Sequence, residues 1–189
     1  MAIWRLPKIG VFGSAAGDLE KLRPLARLIG EKIARKRGIL ITGACPGLPF
    51  EAALGATEAG GLVIGISPAA NLSEHINKYK FPAEPYLLIF TGQEKKGRNP
   101  ISMRTCDAGI FISGRSGTLN EFTIMYDEGT AHTVMGFLLG TGGVVDNEIP
   151  SFIKRTSQEK PSKATLLWEA EPEKLVYQIF ETLKSPRNI

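Results

Sequence analysis

Short apolar runs that stop at a glycine or a polar turn recur along this chain, and helical spacing follows most of them. The runs are KIGVFG at Lys8 to Gly13, Ile39-Leu40-Ile41, LVIGI at Leu62 to Ile66, YLLIF at Tyr86 to Phe90, Gly109 to Ile112, Thr133 to Leu139 and Ala164 to Trp168. Fully apolar strands of this kind, alternating with helices, predict an α/β fold. The expected form is a Rossmann-like parallel sheet of about seven strands with helices on both faces, and Ala164 to Trp168 at an edge. With 189 residues, 43% of them hydrophobic, the chain can bury a core as a single domain over 1–189 without staples.

Helix boundaries come from caps and breakers. Asp18 is read as the cap of a first helix in which Leu22, Leu25, Ile29 and Ile33 recur at helical spacing until Gly38. Gly43-Ala44-Cys45-Pro46-Gly47 turns the chain into an alanine-rich helix, Glu51 to Ala59. Pro68 to Tyr79 reads as a polar connection with one helical turn. Asn99 as N-cap with Pro100 at the first helical position starts the helix between the fourth and fifth strands. The last helix, Pro172 to Leu183, aligns Leu175, Ile179 and Leu183 on one stripe.

Several classes are disfavoured. The net charge of +4 is spread along the chain, and the densest basic stretch, Lys95-Lys96-Gly97-Arg98, is short, so no nucleic-acid partner is expected. Two cysteines lie far apart outside any CxxC pair, and with two histidines they make a poor ligand set, so no metal site is expected. Buried reduced thiols are the plain reading of Cys45 and Cys106. MAIWRLPKIG lacks a signal-peptide layout, and no apolar run approaches the roughly 20 residues that cross a bilayer. A cytoplasmic chain with no membrane partner is expected.

Ligands of open parallel sheets sit beyond the carboxyl ends of the strands. That rule selects Gly13-Ser14, Gly43 to Gly47, Thr91 to Arg98 and Ser113 to Thr118, all rich in glycine or polar residues. Any one of these turns could be only a tight connection; four at one sheet edge point to a ligand site. Three known patterns are missing. No G-x-G-x-x-G follows the first strand, and Gly92 to Asn99 has P-loop glycine spacing but Arg98 and Asn99 where Lys and Ser/Thr are needed. Gly114 to Gly117 is not a G-x-S-x-G nucleophile elbow. What remains is anion binding at a helix start near Gly117. Gly114 and Gly117 free the backbone, Ser116 and Arg115 sit between them, Thr118 supplies a hydroxyl, and Gly47 opens a second helix. Arg115 is either an extra charge for an anion or a solvated loop residue, and Glu121 by itself could be an ordinary first-turn glutamate.

TGACPGLPFEAALGA followed by GRNPISMRTCDAGIFISGRSGTLNEF resembles the LOG (Lonely Guy) superfamily, formerly labelled lysine-decarboxylase-like, over most of residues 8–145. Its signature is PGGxGTxxE. Ser113 stands for the proline, Gly114 for the first glycine and Arg115 for the second. Gly117 and Thr118 match GT, and Glu121 matches the final glutamate. Arg98, nine residues before Asp107, falls where the family has a catalytic arginine. The resemblance implies a nucleoside 5′-monophosphate phosphoribohydrolase using Arg98 and Glu121 on the N-glycosidic bond, with the Gly114 to Thr118 loop on the phosphate. The loop GRSGTLNEF, however, is more similar to a branch with GRxGTLNEF that includes molybdenum cofactor carrier proteins. That branch implies a carrier or sensor holding a nucleotide or molybdopterin-type cofactor, with no cofactor required for catalysis. The superfamily also implies a homodimer or higher homo-oligomer.

Overall fold

The computed structural model describes residues 6–184; Met1 to Arg5, part of the stretch read as carrying no leader, lie outside the described residues. Seven parallel strands form one sheet in the order β4-β3-β2-β1-β5-β6-β7. They are β1 (Lys8–Gly13), β2 (Ile39–Thr42), β3 (Val63–Ser67), β4 (Leu87–Phe90), β5 (Ala108–Ile112), β6 (Val134–Leu138) and β7 (Thr165–Glu169). The seven-stranded Rossmann-like sheet and its helical cover are as the alternating pattern predicts. The register runs unbroken through β1, β5, β6 and β7, so Phe12, Phe111, Phe137 and Trp168 form one cross-strand row. Phe111 stacks on Phe137 at 5.5 Å and Phe137 on Trp168 at 4.2 Å between ring centroids.

Two faces of the sheet bury two cores. On one, Ile9, Val11 and Leu40 meet α1 (Arg23–Arg35), α2 (Leu48–Glu58) and α9 (Pro172–Lys184). On the other, Phe12 and Phe111 meet α5 (Asn99–Thr105), α6 (Ser116–Glu128) and α8 (Glu148–Thr156). Phe122, Met125 and Tyr126 belong to this second core. The remaining helices are α3 (Leu72–Asn77), the single turn read between Pro68 and Tyr79, with α4 (Glu94–Gly97) and α7 (Gly143–Asp146). Among the described residues no helix is long and apolar enough to cross a membrane.

Three helix starts, those of α1, α2 and α5, differ from the sequence reading. Asp18 does not cap α1: a turn closed by Leu22 N–H and Arg23 N–H on the Leu19 carbonyl intervenes, and the helix starts at Arg23 with Pro24 in its first turn. Pro24 suits that turn because its missing N–H has no partner to lose there. α2 starts at Leu48 and not at Glu51, with Pro49 in its first turn, and α6 starts at Ser116. Asn99 is the first residue inside α5, whose N-cap is Arg98. The side chain of Asn99 is thereby free for other partners.

α1 and α2 approach so closely that a Cβ at Gly30 would fall on the carbonyl oxygen of Ala52. A backbone oxygen cannot swing aside as a side-chain tip can. Gly30→Ala is therefore expected to cost about 1 to 3 kcal/mol through overpacking, read as a lower urea midpoint at unchanged slope.

Candidate functional site

The chain leaves β1 toward β2, β3 and β4 on one side, then returns to lay β5 on the other side of β1. The loops after β1 and β5 therefore diverge at the switch point, and a crevice opens between them. Backbone strain gathers here. Ala44 (φ 51°) and Ser113 (φ 54°), on loops at this edge, and Glu94 (φ 58°), the first residue of α4, are non-glycine residues in the left-handed region. Such conformations cost of order 1 to 3 kcal/mol and persist where the surroundings impose them. The imposing bonds are visible: Ala44 N–H donates to Thr42 Oγ1 at 2.9 Å, and Ser113 N–H donates to Thr141 Oγ1 at 2.8 Å.

A cavity of about 650 Å³ lies at this edge. Gly13 and Ser14 line it after β1, Arg98 after α4, and Arg115, Ser116, Gly117, Thr118 and Glu121 at the start of α6. Gly43, Gly47 and Gly114 stand behind that lining and shape it. A Cβ at Gly43 would fall on the Arg98 guanidinium, and one at Gly114 on the Thr118 side chain. Gly47 (φ 85°) brings α2 against the first loop, where Leu48 N–H donates to the Ser14 carbonyl at 2.9 Å. Cys45, Pro46, Lys95 and Lys96 also line it, within the segments selected from sequence, whereas Ala15, Ala16, Phe81 and Asn99 lie outside those segments and were missed. The two lysines belong to the densest basic stretch. A further cavity of about 620 Å³, around Gly129 to His132 and Lys160 to Lys163, opens at the opposite edge of the sheet, away from these loops.

Arg98 and Glu121 form a buried ion pair in the cavity wall. Arg98 is 6% exposed; its Nη1 donates to Glu121 Oε1 at 3.1 Å and to Asn99 Oδ1 at 2.8 Å. Nε of Arg98 is buried with no partner among the described residues. Asn99 Nδ2 donates to Asn120 Oδ1 at 2.7 Å, tying α5 to α6 beside the pair. Burial pushes the Glu121 carboxyl above its usual range, and the Arg98 charge only partly offsets that. Burial likewise pushes the Cys45 thiol up to about 11, so it is no thiolate near neutrality.

Apart from Glu121, the charged side chains of the lining are cationic. Lys96 Nζ donates to the Ser116 carbonyl at 3.1 Å, drawing α4 over the start of α6. Arg115 is exposed at the N-cap of α6, and among the described residues its guanidinium has no acidic partner. No side chain caps α6, so first-turn N–H groups and the positive end of a 13-residue helix meet four basic side chains, Lys95, Lys96, Arg98 and Arg115. Among the described residues Glu121 is the one carboxylate in the lining. Arg104, by contrast, is on the surface, paired with Glu128 at 2.7 Å.

Fold and cavity together define a Rossmann-like α/β protein with a cationic crevice at its switch point. The model of the SLOG cluster4 family matches residues 6–176, and the chain belongs to that family. It is 34% identical over 125 residues to a protein of Archaeoglobus fulgidus, covering 66% of this chain and 77% of that one. Among solved structures it is similar to the molybdenum cofactor carrier protein of Chlamydomonas reinhardtii, with a TM-score of 0.70 and 23% identity over 95% of this chain and 99% of that one. It is equally similar to the molybdenum cofactor binding protein of Rippkaea orientalis, with a TM-score of 0.71 and 23% identity over 95% and 99% of the two chains. At these identities the likeness shows a shared fold.

Two stability outcomes follow from the buried pair. Glu121→Ala leaves the Arg98 charge without that acceptor and is expected to cost about 3 to 5 kcal/mol. Glu121→Gln keeps an oxygen for Arg98 but removes its countercharge, and is expected to cost about 1 to 3 kcal/mol, less than Glu121→Ala. Because the folded-state pKa of Glu121 is raised, its contribution is fully present below the ordinary value of 4.5 and is lost as pH rises through the folded value. Urea midpoints measured across that window should fall with pH in the parent and less steeply in Glu121→Gln.

Proposed function

We propose that this chain binds a phosphate-bearing small molecule, a nucleotide or a molybdopterin-type cofactor, in the switch-point cavity and serves as a carrier or sensor. One observation carries the reading: four cationic side chains and an uncapped helix N-terminus converge on a cavity whose one carboxylate is already engaged by Arg98. Such a set suits a dianion, which takes charge-assisted hydrogen bonds and backbone N–H donors together. In this reading Arg115, Ser116, Gly117 and Thr118 hold the phosphate, while Gly13 and Ser14 close the facing side. Gly43, Gly47 and Gly114 keep the backbone in place. The bound molecule is cargo, and no resident cofactor is required. The names of two solved neighbours, a molybdenum cofactor carrier and a molybdenum cofactor binding protein, support the carrier role by analogy.

A second reading rests on the Arg98–Glu121 pair in the cavity wall. Cleavage of an N-glycosidic bond builds positive charge at the sugar carbon, where a carboxylate stabilises it. A nucleoside 5′-monophosphate phosphoribohydrolase would use Glu121 there, with Arg98 orienting it. A cytoplasmic location and a homo-oligomer complete the proposal. Leu87 and Ile89 on edge strand β4, 56% and 42% exposed, offer apolar area for self-association, and sedimentation as a monomer at micromolar concentration would remove that part.

The two readings separate in one assay. Nucleoside monophosphates incubated with the purified chain should yield no ribose 5-phosphate, yet should raise its melting temperature as native-state ligands do. Arg115→Ala is expected to weaken that binding about tenfold, and added salt should weaken the parent more than the variant. Ribose 5-phosphate release that disappears in Glu121→Gln would replace the carrier with the hydrolase.

A further inference from the structure

Among the described residues Phe81 is the one aromatic ring in the lining of the cationic crevice, and its placement is fixed from behind. The fully buried His75 accounts for this. Phe81 N–H donates to the His75 carbonyl at 3.2 Å, and the next residue, Pro82, offers its carbonyl to His75 Nε2 at 3.0 Å. A carbonyl only accepts, so Nε2 carries a proton, and Nδ1 makes a hydrogen bond with Ser67 Oγ at 2.8 Å. The imidazole also meets the Phe81 ring edge-on at 5.7 Å and 83°. Two hydrogen bonds and a ring contact from one buried residue hold Phe81 at the cavity wall.

The volume of the cavity gives this ring a task. About 650 Å³ lies within the range, roughly 300 to 1,000 Å³, of sites that enclose a whole organic ligand. A phosphate group fills a small part of that space. Adjacent lysines on α4 reach two different parts of the lining: Lys96 bonds to the Ser116 carbonyl at the α6 N-terminus, and Lys95 Nζ stands 5.6 Å from the Phe81 ring centroid. The lining also includes Ala15, Ala16 and Pro46, which offer no hydrogen-bonding side chain. One part of the lining is built for an anion and another presents an aromatic ring.

We propose that Phe81, positioned by His75, is the specificity-determining residue for the end of the ligand remote from the phosphate, and that it selects a planar heteroaromatic ring by contact with its own ring. This rests on the phosphate-binding reading above and adds to it the part of the ligand that is discriminated. A purine or pyrimidine of a nucleotide and the pterin of a phosphorylated pterin share the required chemistry, a flat π-face. A sugar phosphate without a ring system lacks it.

Calorimetric titration of the full chain with ribose 5-phosphate, a nucleoside 5′-monophosphate and a phosphorylated pterin tests this. The parent should bind at least one of the two ring-bearing phosphates roughly 5- to 100-fold more tightly than ribose 5-phosphate, and whichever ring is preferred names the source. Phe81→Leu keeps apolar bulk without a π-face and should lose most of that ratio while its affinity for ribose 5-phosphate stays put. Phe81→Tyr should restore the ratio. An unchanged ratio in a folded Phe81→Leu overturns the role of Phe81 and leaves the phosphate site standing, provided that Arg115→Ala still weakens all three ligands. A parent chain that binds none of the three overturns the phosphate reading and this inference with it.

Discussion

The guanidinium of Arg98 is buried where the β2 loop, α5 and α6 meet, and three parts of the chain are shaped around it. Gly43 has no side chain because the guanidinium occupies the place of its Cβ. Asn99 is drawn inside α5, where one end of its amide accepts from Arg98 and the other donates to Asn120. Glu121 is held un-solvated at 3.1 Å as the countercharge. A buried ion pair is poor evidence of selection for stability, since well-packed apolar residues of similar volume would often be as stable. A pair kept in the wall of the crevice at the sheet's switch point is better explained by what it does to that crevice.

What it does follows from the parallel sheet. Strands that all run one way deliver their loops to one edge, and the reversal between β1 and β5 parts two of those loops. The strained φ values of Ala44 and Ser113 sit on this edge and are stabilised by threonine hydroxyls from Thr42 and Thr141. The aromatic row from Phe12 to Trp168 and the close α1–α2 packing hold the sheet beneath them. Rigid packing below lets a loop bear strained backbone and unpaired N–H groups above.

Much of this was legible in the chain. Strands are local, and an apolar run closed by glycine announces itself. The rule that ligands gather at strand carboxyl ends then selected four segments, each of which contributes to the cavity wall or its backing. The misread caps share a cause. Asp18 and Asn99 are good cap residues by type, but a turn at Leu19 and a long-range demand from Arg98 and Asn120 decided where the helices begin. Phe81 was illegible for a related reason. It follows a polar connection with no periodicity, and its place depends on His75, whose ring is fixed by Ser67 at the end of β3. Contacts between residues distant in sequence leave no spacing to count.

Charge balance distinguishes holding from cleaving at this site. A developing oxocarbenium centre needs negative potential beside the sugar carbon. Here Glu121 shares its Oε1 with Arg98, its burial favours the protonated form, and Lys95, Lys96 and Arg115 add positive charge around it. That field raises the energy of a forming cation and lowers that of a resident phosphate. Arg115 adds to the difference, because it replaces a second glycine of the PGG pattern with a charge at the mouth of the same helix. Under the proposed carrier reading, the residue that departs from the PGG pattern would therefore favour hold of an anion over the electrostatics of glycosidic cleavage.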